Sequence, residues 1–135
     1  MPAANRQTAV RSLGPLGLMA LIFWLSSQSD LGTELGVIDL IGRKIGHAGV
    51  YGLLTLLWWW ALAPVAAHRP RLIAAAVIAL LYGASDEYHQ TFIAGRVGSP
   101  IDVAIDAVGV AATCWLLTGG RSRRLTAWLR TRLGR

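Results

Sequence analysis

Nine polar residues in this chain combine types and spacings that could do chemistry: Lys44, His47, Tyr51, Asp86, Glu87, Gln90, Arg96, Asp102 and Asp106. Lys44, His47 and Tyr51 are spaced i, i+3 and i+7, so on a helix they share one face. Asp102, Asp106 and Gly109 are i, i+4 and i+7, again one face, and Asp86, Glu87 and Gln90 cluster at i, i+1 and i+4. Two chemistries suit this set. In the first, the acids accept hydrogen bonds from hydroxyls or amines while Arg96 forks onto a phosphate or carboxylate and Lys44 adds a point charge. That is a binding pocket for a polar headgroup, a sugar or a peptide stem, and it needs no cofactor. In the second, Asp86, Glu87, Asp102 and Asp106 ligate a divalent metal such as Mg²⁺ or Ca²⁺, which prefer oxygen donors. A metal beside Arg96 would support phosphoryl transfer or hydrolysis, with His47 as general base. The residue pattern leaves open whether the chain is an enzyme and assigns no catalytic residue. Proton or ion transport through the acids is a third chemistry, disfavoured because no paired broken helices are present to rock about a site.

The elements that carry these residues are apolar. Of 135 residues, 54% are hydrophobic and only 15% charged, and mean hydropathy is +0.49. A soluble domain runs nearer a quarter charged, and disorder requires few apolar residues. The single cysteine, Cys114, excludes an intramolecular disulfide and a Cys-rich zinc site. Apolar runs predict spans over about 12–29, 45–67, 72–92 and 101–119, each near the roughly 20 residues that cross a bilayer core. The expected fold is an all-α membrane protein, a four-transmembrane-helix bundle forming one domain over 1–135. The first run resembles a signal peptide in its basic start, but no A-x-A-like cleavage site follows Leu25, so an uncleaved span is expected.

Net charge is +6, and its placement argues for membrane orientation rather than nucleic acid. With the N-terminus inside, ten Lys and Arg fall on the cytoplasmic side against Arg43, Lys44 and Arg96 outside. The positive-inside rule then predicts both termini in the cytoplasm. Two flanking segments read as interfacial. The tail 121–135 places Leu125, Trp128, Leu129 and Leu133 on one face among arginines, the pattern of a basic surface helix. On the outer side, Leu31, Leu35 and Ile38 recur at helical spacing. Trp58, Trp59 and Trp60 fall near the middle of the second run and read as lipid-facing packing, and His68 as a loop histidine.

Counting about 1.5 Å per helical residue from the cytoplasmic ends puts both Asp86 and Asp106 about 22 Å up a core about 30 Å thick. Tyr51 comes out near 26 Å, and Gln90 and Asp102 near 28 Å, with His47 and Lys44 at the outer interface. Three runs therefore deliver polar groups to one leaflet. A charge facing lipid is costly, so the faces are expected to turn inward and meet. Mutual neutralisation alone would pin the helices at about 1 kcal/mol per contact, but four carboxylates in one leaflet exceed what such pinning needs. Arg96, in the turn-rich stretch between the last two runs, is expected either to neutralise an acid or to face an anionic ligand.

These residues resemble the signatures of VanZ-like membrane proteins. Arg43-Lys44-Ile45-Gly46-His47 with Tyr51 resembles the first motif, and Asp86-Glu87-Tyr88-His89-Gln90-Thr91-Phe92 with Gly95-Arg96 the second. Asp102, Asp106 and Gly109 resemble the third. Asp106 stands where the family often has asparagine, which adds a charge. Ile93-Ala94-Gly95-Arg96 stands where a Pro-Gly-Arg turn is common. The resemblance implies a bacterial multi-pass inner-membrane protein of the cell envelope; the family's namesake is associated with teicoplanin resistance. The expected partners are membrane lipids and an envelope lipid-linked, glycan or lipoglycopeptide ligand, with a contribution to glycopeptide resistance. A metal-dependent enzyme acting on a lipid or phosphate headgroup is the alternative, and a homo-oligomer is left open.

Overall fold

A computed structural model describes residues 2–29 and 37–119, with the pairs 127–128 and 131–132. The described chain is all-α, with four helices in order: α1 (Ala3–Ser26), α2 (Val37–Ala61), α3 (His68–Gln90) and α4 (Pro100–Thr118). At 24, 25, 23 and 19 residues, their lengths run from about 29 to about 38 Å, bracketing a bilayer core. α1 and α4 are long and apolar enough to cross a membrane. α2 and α3 match them in length but carry most of the polar residues singled out above.

Local chemistry sets the ends. Pro100 opens α4 at a position where its missing N–H costs nothing, and the Ser99 hydroxyl caps the helix by accepting from the Ile101 N–H at 3.2 Å. Gly95, at φ 79°, turns the α3–α4 loop through the left-handed region that favours glycine. Pro15 lies buried inside α1.

Packing is closest where side chains are smallest. α2 and α4 cross at Gly52 and Gly109, and a Cβ on Gly109 would overlap the Ala48 backbone. Thr113 crosses the same seam, its hydroxyl donating to the Gly52 carbonyl at 3.1 Å. Small residues that let helix backbones touch are the usual device of helix pairing in lipid. Ile22, Tyr51, Leu54, Ala79 and Val110 form one core cluster, and Trp59, Leu72, Ala75 and Leu117 a second toward the opposite end. α1 is tied to α3 by the Tyr82 hydroxyl, which donates to the Met19 carbonyl at 2.6 Å.

Polarity is inverted relative to a water-soluble bundle. Asp86, Glu87, Gln90 and Asp106 are buried, while Ile73 and Leu81 on α3 are 65% and 66% exposed. Ile45 and Leu53 on α2 and Ile101 and Val108 on α4 also point outward.

Four expectations need correction. The second run was expected to continue to residue 67, but α2 ends at Ala61 and Pro64 lies in the connection. The tryptophan triplet therefore occupies the last turn of α2 rather than mid-span. Trp59 is buried, with the Arg71 guanidinium 4.0 Å above its ring, and Arg11 lies 4.8 Å over Trp60. Trp59 and Trp60 therefore pack against basic side chains, where lipid-facing packing was expected. The same shift puts Tyr51 ten residues from the end of α2, about 15 Å along the axis, deeper than the height first counted. His68 is the first residue of α3, packed edge-on against Trp59, not a loop residue. Ile38 belongs to α2. The rest of the outer helix and the apolar face of the tail through Leu125, Leu129 and Leu133 lie outside the described residues.

Candidate functional site

Three helices and one loop supply the polar cluster. α2 presents Lys44, His47 and Tyr51, α3 presents Asp86, Glu87 and Gln90, α4 presents Asp102 and Asp106, and the α3–α4 loop supplies Arg96. His47 is the hub. Its Nδ1 lies 3.2 Å from Asp106 Oδ1 and 3.9 Å from Glu87 Oε1, so one imidazole joins all three helices. Gln90 donates from Nε2 to Asp86 Oδ2 at 3.1 Å and to Glu87 Oε1 at 3.5 Å. The Ser99 N–H donates to Glu87 Oε2 at 2.9 Å, anchoring the start of α4 to the same carboxylate.

Lys44 and Asp102 form a separate pair at 2.6 Å, both partly exposed. They sit at the edge of the cluster and close it toward one side. Tyr51 packs against Gly83, where a Cβ would stand 3.2 Å from both the Tyr51 ring and Asp106 Oδ2. Gly83 thus lets α3 approach closely enough for the three helices to share one polar centre.

Several buried polar atoms in this centre have no hydrogen-bond partner among the described residues: Tyr51 OH, Asp86 Oδ1 and Asp106 Oδ2. Buried polar groups are nearly always satisfied, so each of these atoms has capacity for a further hydrogen bond or ion contact.

Arg96 does not take the first of the two roles expected of it. It pairs with no acid among the described residues. Its Nε donates to the Gln28 carbonyl at 3.0 Å and its Nη2 to the Leu25 carbonyl at 3.1 Å. The guanidinium thereby caps the C-terminal end of α1, where unsatisfied carbonyls carry partial negative charge. It is a staple between the α3–α4 loop and α1 that also reaches the rim of the site.

The contribution of α1 was not foreseen. A cavity of about 360 Å³ lies between α1, α2 and α3. α1 contributes the apolar Ile22 and Leu25, and α2 and α3 contribute Val50 and the polar His47, Tyr51, Asp86 and Gln90, with Arg43 and Arg96 also lining it. A smaller space of about 190 Å³ adjoins it, bounded by Lys44, His47, Gln90 and Asp102. His89 turns to α1 instead of the pocket, its Nε2 3.1 Å from the Ser27 hydroxyl and its ring stacked on Phe23. The serines closing the first run were the available sequence signal for this seam, since hydroxyls at a span's end commonly bind neighbouring helices.

The arrangement can hold an anion at its rim through guanidinium donors and accept hydrogen bonds deeper in through carboxylates. It can also gather one imidazole and two carboxylates around a point, as His47, Glu87 and Asp106 offer ligand atoms within 4.8 Å of one another. No curated protein and no solved structure matches the chain. A family model described as VanZ/LLP1 matches residues 4–121, a stretch that takes in nearly all of α1 and the whole of α2, α3 and α4 with every residue of the cluster. The chain belongs to the VanZ/LLP1 family.

Proposed function

We propose that this protein crosses the bacterial inner membrane four times, with both termini in the cytoplasm, and holds the headgroup of an envelope lipid-linked or glycan ligand in an outward-facing pocket. The four-span reading is supported by the inverted polarity of α2 and α3. A helix with Ile73 and Leu81 exposed and Asp86 and Glu87 buried matches a bilayer as solvent, where exposed charge is the costly arrangement. The orientation is supported by the Lys and Arg distribution and by the tryptophan and arginine contacts at the opposite end of the bundle from the acids.

The observation that carries the binding reading is the mixed lining of the cavity. Ile22 and Leu25 of α1 and Val50 of α2 supply apolar surface, and His47, Tyr51, Asp86 and Gln90 supply polar groups. Such a space fits an amphiphile, with its chain against α1 and its headgroup on the polar side. Arg96 keeps guanidinium N–H groups beyond the two committed to α1, so a phosphate or carboxylate at the rim would find a donor. A lipid-linked envelope precursor or a lipoglycopeptide has this form, and capture of either at the outer face is the route by which the chain would contribute to glycopeptide resistance.

Mass spectrometry of lipids that co-purify with the protein in mild detergent tests the proposal. A lipid-linked envelope species should be enriched over bulk phospholipid in the wild type and depleted in Asp86→Leu and Gln90→Leu. A lipid profile identical to the bulk membrane, unchanged by either substitution, would overturn it.

A further inference from the structure

We infer that His47, Glu87 and Asp106 form a binding site for one divalent transition-metal ion, Zn²⁺ or Mn²⁺, where α2, α3 and α4 meet. Geometry comes first. Nδ1 of His47 and one oxygen each of Glu87 and Asp106 lie within 4.8 Å of one another, one donor from each of three helices. Ligands at about 2.1 Å from a tetrahedral ion stand about 3.4 Å apart. The His47–Asp106 separation of 3.2 Å already meets that spacing, and the His47–Glu87 separation of 3.9 Å is close to it.

Satisfaction of buried groups comes second. Asp106 is 1% exposed, and its Oδ2 has no partner among the described residues; it lies beside Tyr51, whose hydroxyl is also unpartnered. A fully buried carboxylate with one free oxygen, next to a second buried carboxylate and an imidazole, is the arrangement a cation completes.

Charge comes third. Asp86, Glu87 and Asp106 are buried together. Lys44 is engaged by Asp102, and Arg96 is engaged by α1 carbonyls. At the three donors themselves, the Glu87 and Asp106 carboxylates face one imidazole, which supplies at most one positive charge. A divalent ion offsets the remaining negative charge.

The donor set selects the metal. One imidazole with carboxylates is a mixed nitrogen and oxygen set, which suits Zn²⁺ or Mn²⁺ better than Mg²⁺, an ion that favours oxygen and keeps its waters. The oxygen-only set that includes Asp102 is not assembled, because Asp102 turns to Lys44. A metal here would stand beside Tyr51, and of its three ligands His47 also lines the cavity. The inference does not depend on the ligand proposal, since it rests on the three helices' own donors.

The test uses the full-length protein in mild detergent, stripped with EDTA and equilibrated with ZnCl₂ or MnCl₂. Metal content is read by inductively coupled plasma mass spectrometry, affinity by calorimetry, and folding by size exclusion. About one equivalent of Zn²⁺ or Mn²⁺ per chain is expected, with affinity lowered at least tenfold in His47→Ala and Asp106→Asn and unchanged in Asp102→Asn. If a variant fails to fold, the wild type decides: its melting temperature should rise on adding Zn²⁺ or Mn²⁺ and fall again with EDTA. Sub-stoichiometric metal in the folded wild type, or full binding retained in both His47→Ala and Asp106→Asn, would overturn the inference. So would tight Mg²⁺ or Ca²⁺ binding that Asp102→Asn abolishes. Loss of lipid co-purification with metal retained would refute the ligand proposal alone.

Discussion

Replacing Gly109 with alanine probes the seam on which the whole site depends. At this position α4 touches α2 through backbone: the added methyl would overlap the Ala48 carbonyl and lie 2.9 Å from Ala48 Cα. Carbon atoms in ordinary contact stand about 3.5–4.0 Å apart, so the two helices must part by about an ångström. Overpacking of this kind costs about 1–3 kcal/mol. Alanine recovers up to about 1 kcal/mol through its better helix propensity, which leaves a net loss of about 0–2 kcal/mol when that recovery is full. Gly49 supplies the control. It lies on α2 three residues before Gly52, and a Cβ there meets nothing within 4 Å. Gly49→Ala should therefore gain the propensity term alone, about 0.5–1 kcal/mol. The two variants should differ in melting temperature by roughly 8 °C at this chain length, read by intrinsic tryptophan fluorescence in detergent. The loss should also reach the site, because Asp106 stands one turn from Gly109 and its 3.2 Å contact with His47 spans the same seam. A Gly109→Ala protein as stable as Gly49→Ala would refute the reasoning and with it the α2–α4 contact.

Arg96→Ala should lower stability by about 1–3 kcal/mol through loss of two charge-assisted hydrogen bonds to α1. Arg96→Lys should recover less than half, since an ammonium lacks the planar fork; wild-type melting temperatures in both would remove Arg96 as the staple. Tyr82→Phe should cost about 1 kcal/mol by deleting the hydroxyl bond to the Met19 carbonyl. It should also raise proteolytic cleavage within α1, and an unchanged digestion pattern would show that α1 docks by other means.

The parts of the site visible in sequence were those governed by helical periodicity. Lys44, His47 and Tyr51 share a face by spacing alone, as do Asp102, Asp106 and Gly109, and the cost of exposing charge to lipid turns those faces inward. The gathering of the three faces follows from that cost, but the heights matched Asp86 with Asp106 and put His47 at the outer interface, because α2 was counted from His68 instead of from Ala61. Pairings decided by loop geometry were not visible. The Gly95 turn aims Arg96 at the carbonyls ending α1 rather than at an acid, and sequence spacing carries no record of where a loop points. The end of α2 at Ala61 was hidden because Leu62, Ala63, Val65 and Ala66 are as apolar as the helix before them. Hydropathy does not separate an apolar turn from a continuing helix, so the tryptophan triplet was read as mid-span. The α1 wall was hidden for a different reason: Ile22 and Leu25 look like any lipid-facing residues until a polar cavity is placed beside them.

Thiol labelling of intact cells tests most directly whether the pocket faces the envelope. In a Cys114→Ser background, Val97→Cys places a thiol in the α3–α4 loop at a position 86% exposed, and Ala67→Cys places one in the exposed α2–α3 connection. With a membrane-impermeant maleimide, the account predicts labelling at position 97 in intact cells and at position 67 only after the membrane is permeabilised. Labelling at position 67 in intact cells, with position 97 protected, would contradict an outward-facing site.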